Sequence, residues 1–485
     1  MSESKNKVIT GLMWSFAERF GAQIVSFVVS IVLARLLLPK DYGTVTMVTV
    51  FINIANAFVT GGFGNSLIQK KGADDLDFST VFFFNIFFSV AVYLVIFSIS
   101  PLLESFYNQD GLAMVTRVLG LRLLLTGVNS IQRAYVARNM QFKKFFFATL
   151  GGTLLSAVVG IVLAYKGLGV WALIAQYLTN TTTDTVVLWL TVKWRPKFMF
   201  SFKRLKSLLS YGWKLLCSSL LSTVYAELNE LVIGKYYSSA DLAFYSKGKK
   251  FPALFVTNIN SAVETVLFPS MSKIQDEHEL LKAKTKASIS YSTFLVLPIV
   301  FGLAAVSDNL IPVLLTDKWQ ESSVYLMIAC LSYAFVPVGM ANLQAIKAIG
   351  KSTTYLVLDI IKKIMGISLL VVSLKYGVYA IAIAEMVSNV FGFLLNIYPN
   401  KKYLNYGFVE QLKDILPSLI LSLIMFTVVY SENYLPVANK LLLLIIQLVT
   451  GVTVYFLSAL LSKNPQFIFI INLAKAKLRK VTVKE

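Results

Sequence analysis

Charge is scarce in this chain. Only 14% of its 485 residues are charged while 56% are hydrophobic, and its 25 acidic residues stand beside 45 basic ones. So little charge excludes an ordinary soluble protein of this length, whose composition would be about a quarter charged, and a mean hydropathy of +0.69 agrees. Cysteine is nearly absent: Cys217 and Cys330 both lie in apolar stretches, which excludes a disulfide framework or a thiolate metal site of the usual spacing. The sole histidine, His278, lies in a charged loop without a partner pattern and reads as solvated. No G-x-x-x-x-G-K-[ST] run occurs, so ATP is not the expected drive. No cofactor or metal is expected.

Long apolar runs are what the chain has in quantity. A helix needs about 20 such residues to cross a hydrocarbon core, and about fourteen stretches of that kind recur between residues 9 and 461. They leave short connections and no room for a large soluble catalytic domain. The first, from Ile9 past Leu38, lacks a small-residue cleavage site and reads as a spanning helix, not a signal peptide. The expected fold class is therefore an all-α polytopic membrane protein with about 14 transmembrane helices.

A net charge of +20 raises the question of nucleic acid, but the cations follow the loops instead of forming one basic face. Tails and even-numbered loops hold most of them. The opposite side holds Lys40, Lys166, Lys235, Lys318, Lys375 and Lys440, a positive-inside bias that puts both termini in the cytoplasm. Nucleic acid is not an expected partner; membrane lipids are, through their anionic headgroups. The richest cytoplasmic loop, with Lys193, Arg195, Lys197, Lys203, Arg204 and Lys206, reads as a hinge between halves.

The two halves begin alike. Trp14, Arg35 and Asp41-Tyr42-Gly43 in the first correspond to Trp213, Lys235 and Asp241-Leu242-Ala243 in the second. Both copies start on the cytoplasmic side, which implies a parallel pseudo-repeat about an axis along the membrane normal. The expected organisation is a six-helix lobe over 1–191, a basic linker over 192–208, a second six-helix lobe over 209–400, two additional peripheral helices over 401–461 and a basic tail over 462–485.

The runs Trp14-Ser15-Phe16 and Leu33-Ala34-Arg35-Leu36-Leu37-Leu38-Pro39-Lys40-Asp41-Tyr42-Gly43, with Gly62-Phe63-Gly64-Asn65-Ser66-Leu67-Ile68-Gln69-Lys70-Lys71, Gly169-Val170-Trp171-Ala172-Leu173, Phe268-Pro269-Ser270-Met271-Ser272-Lys273 and Lys318-Trp319, carry a family resemblance. The chain resembles Wzx-type polysaccharide transporters of the multidrug/oligosaccharidyl-lipid/polysaccharide exporter superfamily. That resemblance implies a fourteen-helix, two-lobed flippase of the bacterial cytoplasmic (inner) membrane. Its cargo would be undecaprenyl-diphosphate-linked oligosaccharide for cell-surface polysaccharide or lipopolysaccharide biosynthesis, with polysaccharide-assembly proteins as further partners.

Lipid offers no hydrogen bonds, so polar side chains at depth should face protein or a wet cavity. Helical spacing aligns Ser15, Arg19, Gln23, Ser26 and Ser30 on one face, Thr46, Thr49, Asn53, Asn56 and Thr60 on another, and Ser219, Thr223, Glu227 and Glu230 on a third. Gln23, Asn53, Asn56, Ser219 and Thr223 are the expected cavity lining; close helix packing explains such small polar residues too. Fixed cations at depth would offset the cost of a lipid diphosphate crossing a low-dielectric slab. Arg19, Arg122, Lys249 and Lys250 are the candidate diphosphate ligands. Glu18, Glu227, Glu230 and Glu385 are candidates for coupling to a proton or sodium ion, or for neutralising nearby cations. Asp359 with Lys362 and Lys363 has the spacing of a structural ion pair. Pro252, Pro298 and Pro337 interrupt otherwise continuous helices. Two other functions compete: a drug exporter of the same superfamily, which would want an acidic cleft, and a membrane-bound polysaccharide polymerase, which would want a large outward loop.

Overall fold

The computed structural model describes residues 2–472, with side chains left undescribed at 2–13, 15–17, 19, 20 and 211. It is all helical among the described residues. The helices divide into two compact units, residues 1–243 and 244–485.

The first unit holds α1 (Ser2–Leu36), α2 (Pro39–Thr60), α3 (Phe63–Gln69), α4 (Asp75–Tyr107), α5 (Leu112–Arg138), α6 (Phe142–Tyr165), α7 (Val170–Thr191) and α8 (Phe202–Tyr236). Here α6 packs on α1 and α7, α4 on α5, and α2 on both α5 and α8. From α9 (Ser239–Ser272) onward come α10 (His278–Ala305), α11 (Ser307–Leu315), α12 (Ser322–Tyr333), α13 (Val336–Ala348), α14 (Ser352–Ser373), α15 (Val378–Leu404), α16 (Phe408–Ser431) and α17 (Lys440–Leu461). In this second unit α10 packs on α16, α15 on α12, α13 and α14, and α17 on α16.

Ten stretches among the described residues are long and apolar enough to cross a membrane, and Gly21–Leu36 of α1 is a shorter apolar segment. α7, α8 and α14 fall outside the ten. Their polar side chains explain why: a Thr-rich run with Asp184 in α7, Lys214, Glu227 and Glu230 in α8, and Asp359, Lys362 and Lys363 in α14.

The first two helices of the second expected lobe begin like those of the first. α8 starts and stops 200 residues after α1, and α9 starts 200 residues after α2. Pro39 opens α2 and holds Leu38 extended, and the Leu38 N–H donates to Asp41 Oδ2 at 3.0 Å. At the start of α9 the Ser238 N–H donates to Asp241 Oδ2 at 3.1 Å while the Asp241 N–H donates to Ser238 Oγ at 3.1 Å. The repeated aspartates are thus both helix-start carboxylates, and at Ser238 and Asp241 the cap is reciprocal. Gly43 is fixed by close approach: a Cβ there would stand 1.7 Å from Ser239 O.

The basic linker is strapped down. Lys197 N donates to Ser79 Oγ at 3.0 Å and Ser201 N to Thr80 Oγ1 at 3.1 Å. Lys197 Nζ lies 2.5 Å from Asp75, and Trp194 is buried against Phe78, Phe82 and Tyr135. Buried Asp77 takes Lys70 at 2.6 Å and Arg204 at 3.4 Å. The N–H of Asp77 and the guanidinium of Arg204 lower the Asp74 carboxyl below the usual range. What reads in the sequence as a hinge is an anchored segment, and α8 begins at Phe202, inside the expected linker.

Pro252 and Pro298 sit within continuous helices. Pro337, by contrast, sits in the first turn of α13, just past the break after α12. α17 is not apolar all round. Leu443, Gln447, Gly451, Tyr455 and Ala459, four residues apart, form its buried face, and Leu441, Ile445, Leu448 and Val452 its exposed one.

Candidate functional site

Two polar features in the helices meet the requirements for a site, one in each unit. In the first unit, α2 and α8 meet closely at the Gly62 joint between α2 and α3. Gly62 has φ +104°, and a Cβ on it would stand 2.1 Å from Gly212 O. Ser66 Oγ, just beyond, donates to Leu208 O at 3.3 Å. Only glycine at this crossing lets the two backbones touch.

Between that crossing and the Gly43 contact lies an open cleft of about 490 Å³, lined by Asn53, Asn56, Ala57, Thr60, Ser219, Ser222, Thr223, Ala226 and Glu227. Asn53 Nδ2 donates to Glu227 Oε1 at 2.9 Å. Thr60 and Thr223 hydroxyls donate to their own helices at Asn56 O (2.8 Å) and Ser219 O (2.9 Å), so they offer mainly acceptor capacity to the cleft. The side chains of Asn56, Ser219 and Ser222 have no hydrogen-bond partner among the described residues, which leaves their donors to whatever fills the space. Of the expected lining, Asn53, Asn56, Ser219 and Thr223 are brought together here, and Glu227 joins them. Gln23 is half-buried and is not among the lining residues. Glu230 is half-buried on α8 outside the cleft lining, and Glu18 accepts from Thr149 Oγ1 at 3.0 Å.

The second feature is a charged cluster in the second unit. Lys249 Nζ lies 2.7 Å from Glu385 Oε1, Tyr245 Oη donates to the other carboxylate oxygen, and Lys249 Nζ lies 3.4 Å from Tyr245 Oη. The space among Tyr245, Lys249, Tyr325, Ser332, Tyr333 and Glu385 is about 10 Å³, room for about one water. Gly248 permits this packing, since a Cβ on it would come within 2.7 Å of Leu326 N and Ser322 O. Neighbouring Lys247 is buried over the Trp319 ring.

The expected cation ligands therefore fare differently. Lys249 is held by a carboxylate. Arg122 Nε donates to Thr181 Oγ1 at 3.2 Å and its guanidinium stands 5.7 Å from the Tyr177 ring, tying α5 to α7. Lys250 is exposed and no described carboxylate pairs with it. Arg19 lies in α1, and its side chain is outside the described residues. The ion pair on α14 forms with Lys363, 2.8 Å from Asp359.

Sequence reasoning missed a third cluster. Asp184 of α7, buried, accepts from Asn129 Nδ2 at 2.7 Å and Arg133 Nη1 at 2.8 Å. Its other oxygen and Asn129 Oδ1 are buried without a partner. The signal was present: a lone carboxylate within a membrane-length helix.

A family of polysaccharide biosynthesis proteins matches this chain over residues 32–324. Among similar proteins, the teichuronic acid biosynthesis protein TuaB of Bacillus subtilis (strain 168) is 22% identical over 441 residues, 90% of this chain and 91% of its own. The lipopolysaccharide biosynthesis protein WzxC of Escherichia coli (strain K12) is 24% identical, covering 67% of each. Among solved structures, the lipid II flippase MurJ in an inward closed conformation superposes with a TM-score of 0.74 at 17% identity, over 93% of this chain and 99% of its own. An inward-facing multidrug resistance MATE transporter of the MOP superfamily gives 0.60 at 16% identity, over 80% and 98%. The likeness to these structures shows a shared fold.

Proposed function

The chain belongs to the polysaccharide biosynthesis protein family, and we propose that within it this multi-pass membrane protein is a flippase for undecaprenyl-diphosphate-linked oligosaccharide. It carries its cargo from the cytoplasmic to the outer leaflet by alternating access, while the prenyl tail stays in lipid. Behind this stands an arrangement of fourteen spans with cytoplasmic termini, in two six-helix lobes plus two peripheral helices. The 200-residue correspondence of α1 with α8, and of the α2 and α9 starts, supports the repeat.

The observation that carries the reading is the α2–α8 cleft, an open polar space in a largely apolar helical protein whose fold is shared with a lipid II flippase. Arg19, Arg122, Lys249 and Lys250 remain the diphosphate ligands we propose, with Lys250 the exposed one and Lys249 needing release from Glu385. Glu18, Glu227, Glu230 and Glu385 are the acids proposed for a coupling proton or sodium ion.

Reconstituted protein should move a labelled lipid-diphosphate oligosaccharide across a bilayer without ATP. Arg19→Ala should abolish that movement, whereas Lys40→Ala should be tolerated; equal transport by both variants overturns the cation assignment. One observation favours the drug-exporter reading: a carboxylate, that of Glu227, lines the cleft. Export of a cationic dye with no transport of the lipid-linked sugar would decide for it.

A further inference from the structure

Asp184 and Asn129 are each one partner short. Asn129 Nδ2 donates to Asp184 Oδ2 at 2.7 Å, and Arg133 Nη1 donates to that same oxygen at 2.8 Å. The oxygens left over, Asp184 Oδ1 and Asn129 Oδ1, are both buried without a donor. α6 closes in beside them, since a Cβ on Gly152 would stand 2.9 Å from Asn180 O and 3.5 Å from Asp184 N. Buried acceptors left unsatisfied are costly, and here two of them sit on a carboxylate and an amide that are already bonded to each other. One hydrogen is missing. A proton supplies it and needs no cavity: on Asp184 Oδ1 it makes a hydroxyl that donates to Asn129 Oδ1, while Oδ2 still accepts from Asn129 Nδ2, so acid and amide close a ring of two hydrogen bonds. A metal cation fits worse, because the Arg133 guanidinium already stands on the carboxylate.

We propose that Asp184 and Asn129 form a proton-binding site in the first unit, and that the proton displaces Arg133. The proton comes from water, adds to Oδ1 and breaks no covalent bond; Arg133 keeps its own charge, so the cluster passes from neutral to singly positive. Arg133 can leave because its side chain is 46% exposed, against 11% for Asp184, and a guanidinium with water beside it loses little when an ion pair opens. Arg133 and Asp184 lie within about two turns of the ends of α5 and α7 at Arg138 and Thr191, ends that are cytoplasmic in the proposed topology. The role of this site in transport rests on the flippase reading, where it adds a fifth acid to those proposed for coupling. Proton binding itself does not.

The other charges around Asp184 are mostly positive. α7 packs on α6, α5 and α2. α5 brings Arg122, bonded to Thr181 three residues before Asp184, as well as Arg133, while Arg138 turns away to the carbonyls of Leu67 and Lys70. α6 brings Lys143 and Lys144 at its start, and α2 brings Lys40 and Asp41. Asp41, the one acid on those three helices, stands beside Gly169 at the opposite end of α7.

The test uses the full-length protein, in nanodiscs for spectroscopy and in liposomes for transport. An acid-minus-neutral infrared difference spectrum of wild type should contain the carbonyl band of a protonated carboxyl that Asp184→Asn lacks. That variant reproduces the protonated form, since its amide can donate to Asn129 Oδ1 and accept from Asn129 Nδ2. Asn129→Leu should keep the Asp184 band and move it to the higher frequency of an acid that has lost its acceptor. Arg133, once released, is open to dicarbonyl reagents: at neutral pH it should react severalfold faster in Asp184→Asn than in wild type, with the ratio falling toward one in acid. Asp184→Asn should also remove one titration from the pH profile of lipid-diphosphate oligosaccharide transport.

An infrared difference that is the same in wild type and Asp184→Asn overturns the proton site, and a water bridging the two oxygens then explains them. If Asp184→Asn does not fold, an Asp184 band that Asn129→Leu leaves unshifted overturns it equally. A reactivity ratio at Arg133 that acid does not change overturns the displacement. The expected band with no transport by wild type leaves the proton site standing and removes the flippase reading, whereas transport without the band does the reverse.

Discussion

The α2–α8 cleft and the Lys249–Glu385 cluster are two answers to one problem, how to keep polar groups at depth in an apolar protein. The cleft uses neutral amides and hydroxyls with one carboxylate and stays open, at about 490 Å³. The cluster brings a full positive and a full negative charge into contact under a lid of tyrosines and leaves about 10 Å³. Desolvated charges demand partners in good geometry, so the charged site closes on itself. Uncharged polar groups lose less when left facing water, so the cleft, whose described lining is mostly uncharged, can stay open. Depth and polarity alone therefore do not mark a binding site; unsatisfied donors facing open volume do.

The comparison breaks most readily at the cleft's own scaffold. Gly62→Ala should cost about 3 kcal/mol or more, because a Cβ meets Gly212 O and the positive φ disfavours any side chain. Thermal unfolding in detergent should register it, and spreading α2 from α8 should abolish transport as well. A near-native melting temperature would mean the two backbones are not locked at this crossing.

Next in size is the cluster. Glu385→Ala strands Lys249, whose side chain is only 24% exposed, and should cost about 2–3 kcal/mol. The double variant Lys249→Met/Glu385→Leu should recover much of that loss, since an apolar pair of similar volume needs no counter-charge. Equal instability of single and double variants would show that packing, not charge, holds α9 to α15.

Much of the scaffold was legible in the sequence, because a membrane imposes a strong one-dimensional pattern: length, apolarity and the Asp41/Asp241 repeat all leave marks in single segments. Parts of the cleft were legible for the same reason, since Asn53, Asn56, Ser219, Thr223 and Glu227 recur at helical spacing on α2 and α8. Partnership was not. Lys249 and Glu385 are 136 positions apart, and nothing local says that one neutralises the other or that Tyr245 closes over them. The strapped linker was hidden similarly, because a basic loop looks solvated until Asp74, Asp75 and Asp77 at the start of α4 are folded beneath it.

The smallest effect is the sharpest comparison of all, a hydroxyl removed from each feature. Ser332 beside the cluster accepts from Asn389 Nδ2 at 2.6 Å and is buried. Its replacement by alanine leaves that amide donor without its acceptor and should cost about 1 kcal/mol. Ser222 in the cleft is exposed and has no described partner, so Ser222→Ala should alter stability by less than about 0.5 kcal/mol. If its hydroxyl instead serves a passing sugar, the same variant should weaken transport of a lipid-linked oligosaccharide severalfold while the melting temperature stays fixed. Ser332→Ala should do the reverse, lowering the melting temperature with a transport loss no larger than the loss of folded protein. Matching behaviour in the two variants would erase the distinction between an open site built for a ligand and a closed one built for the fold.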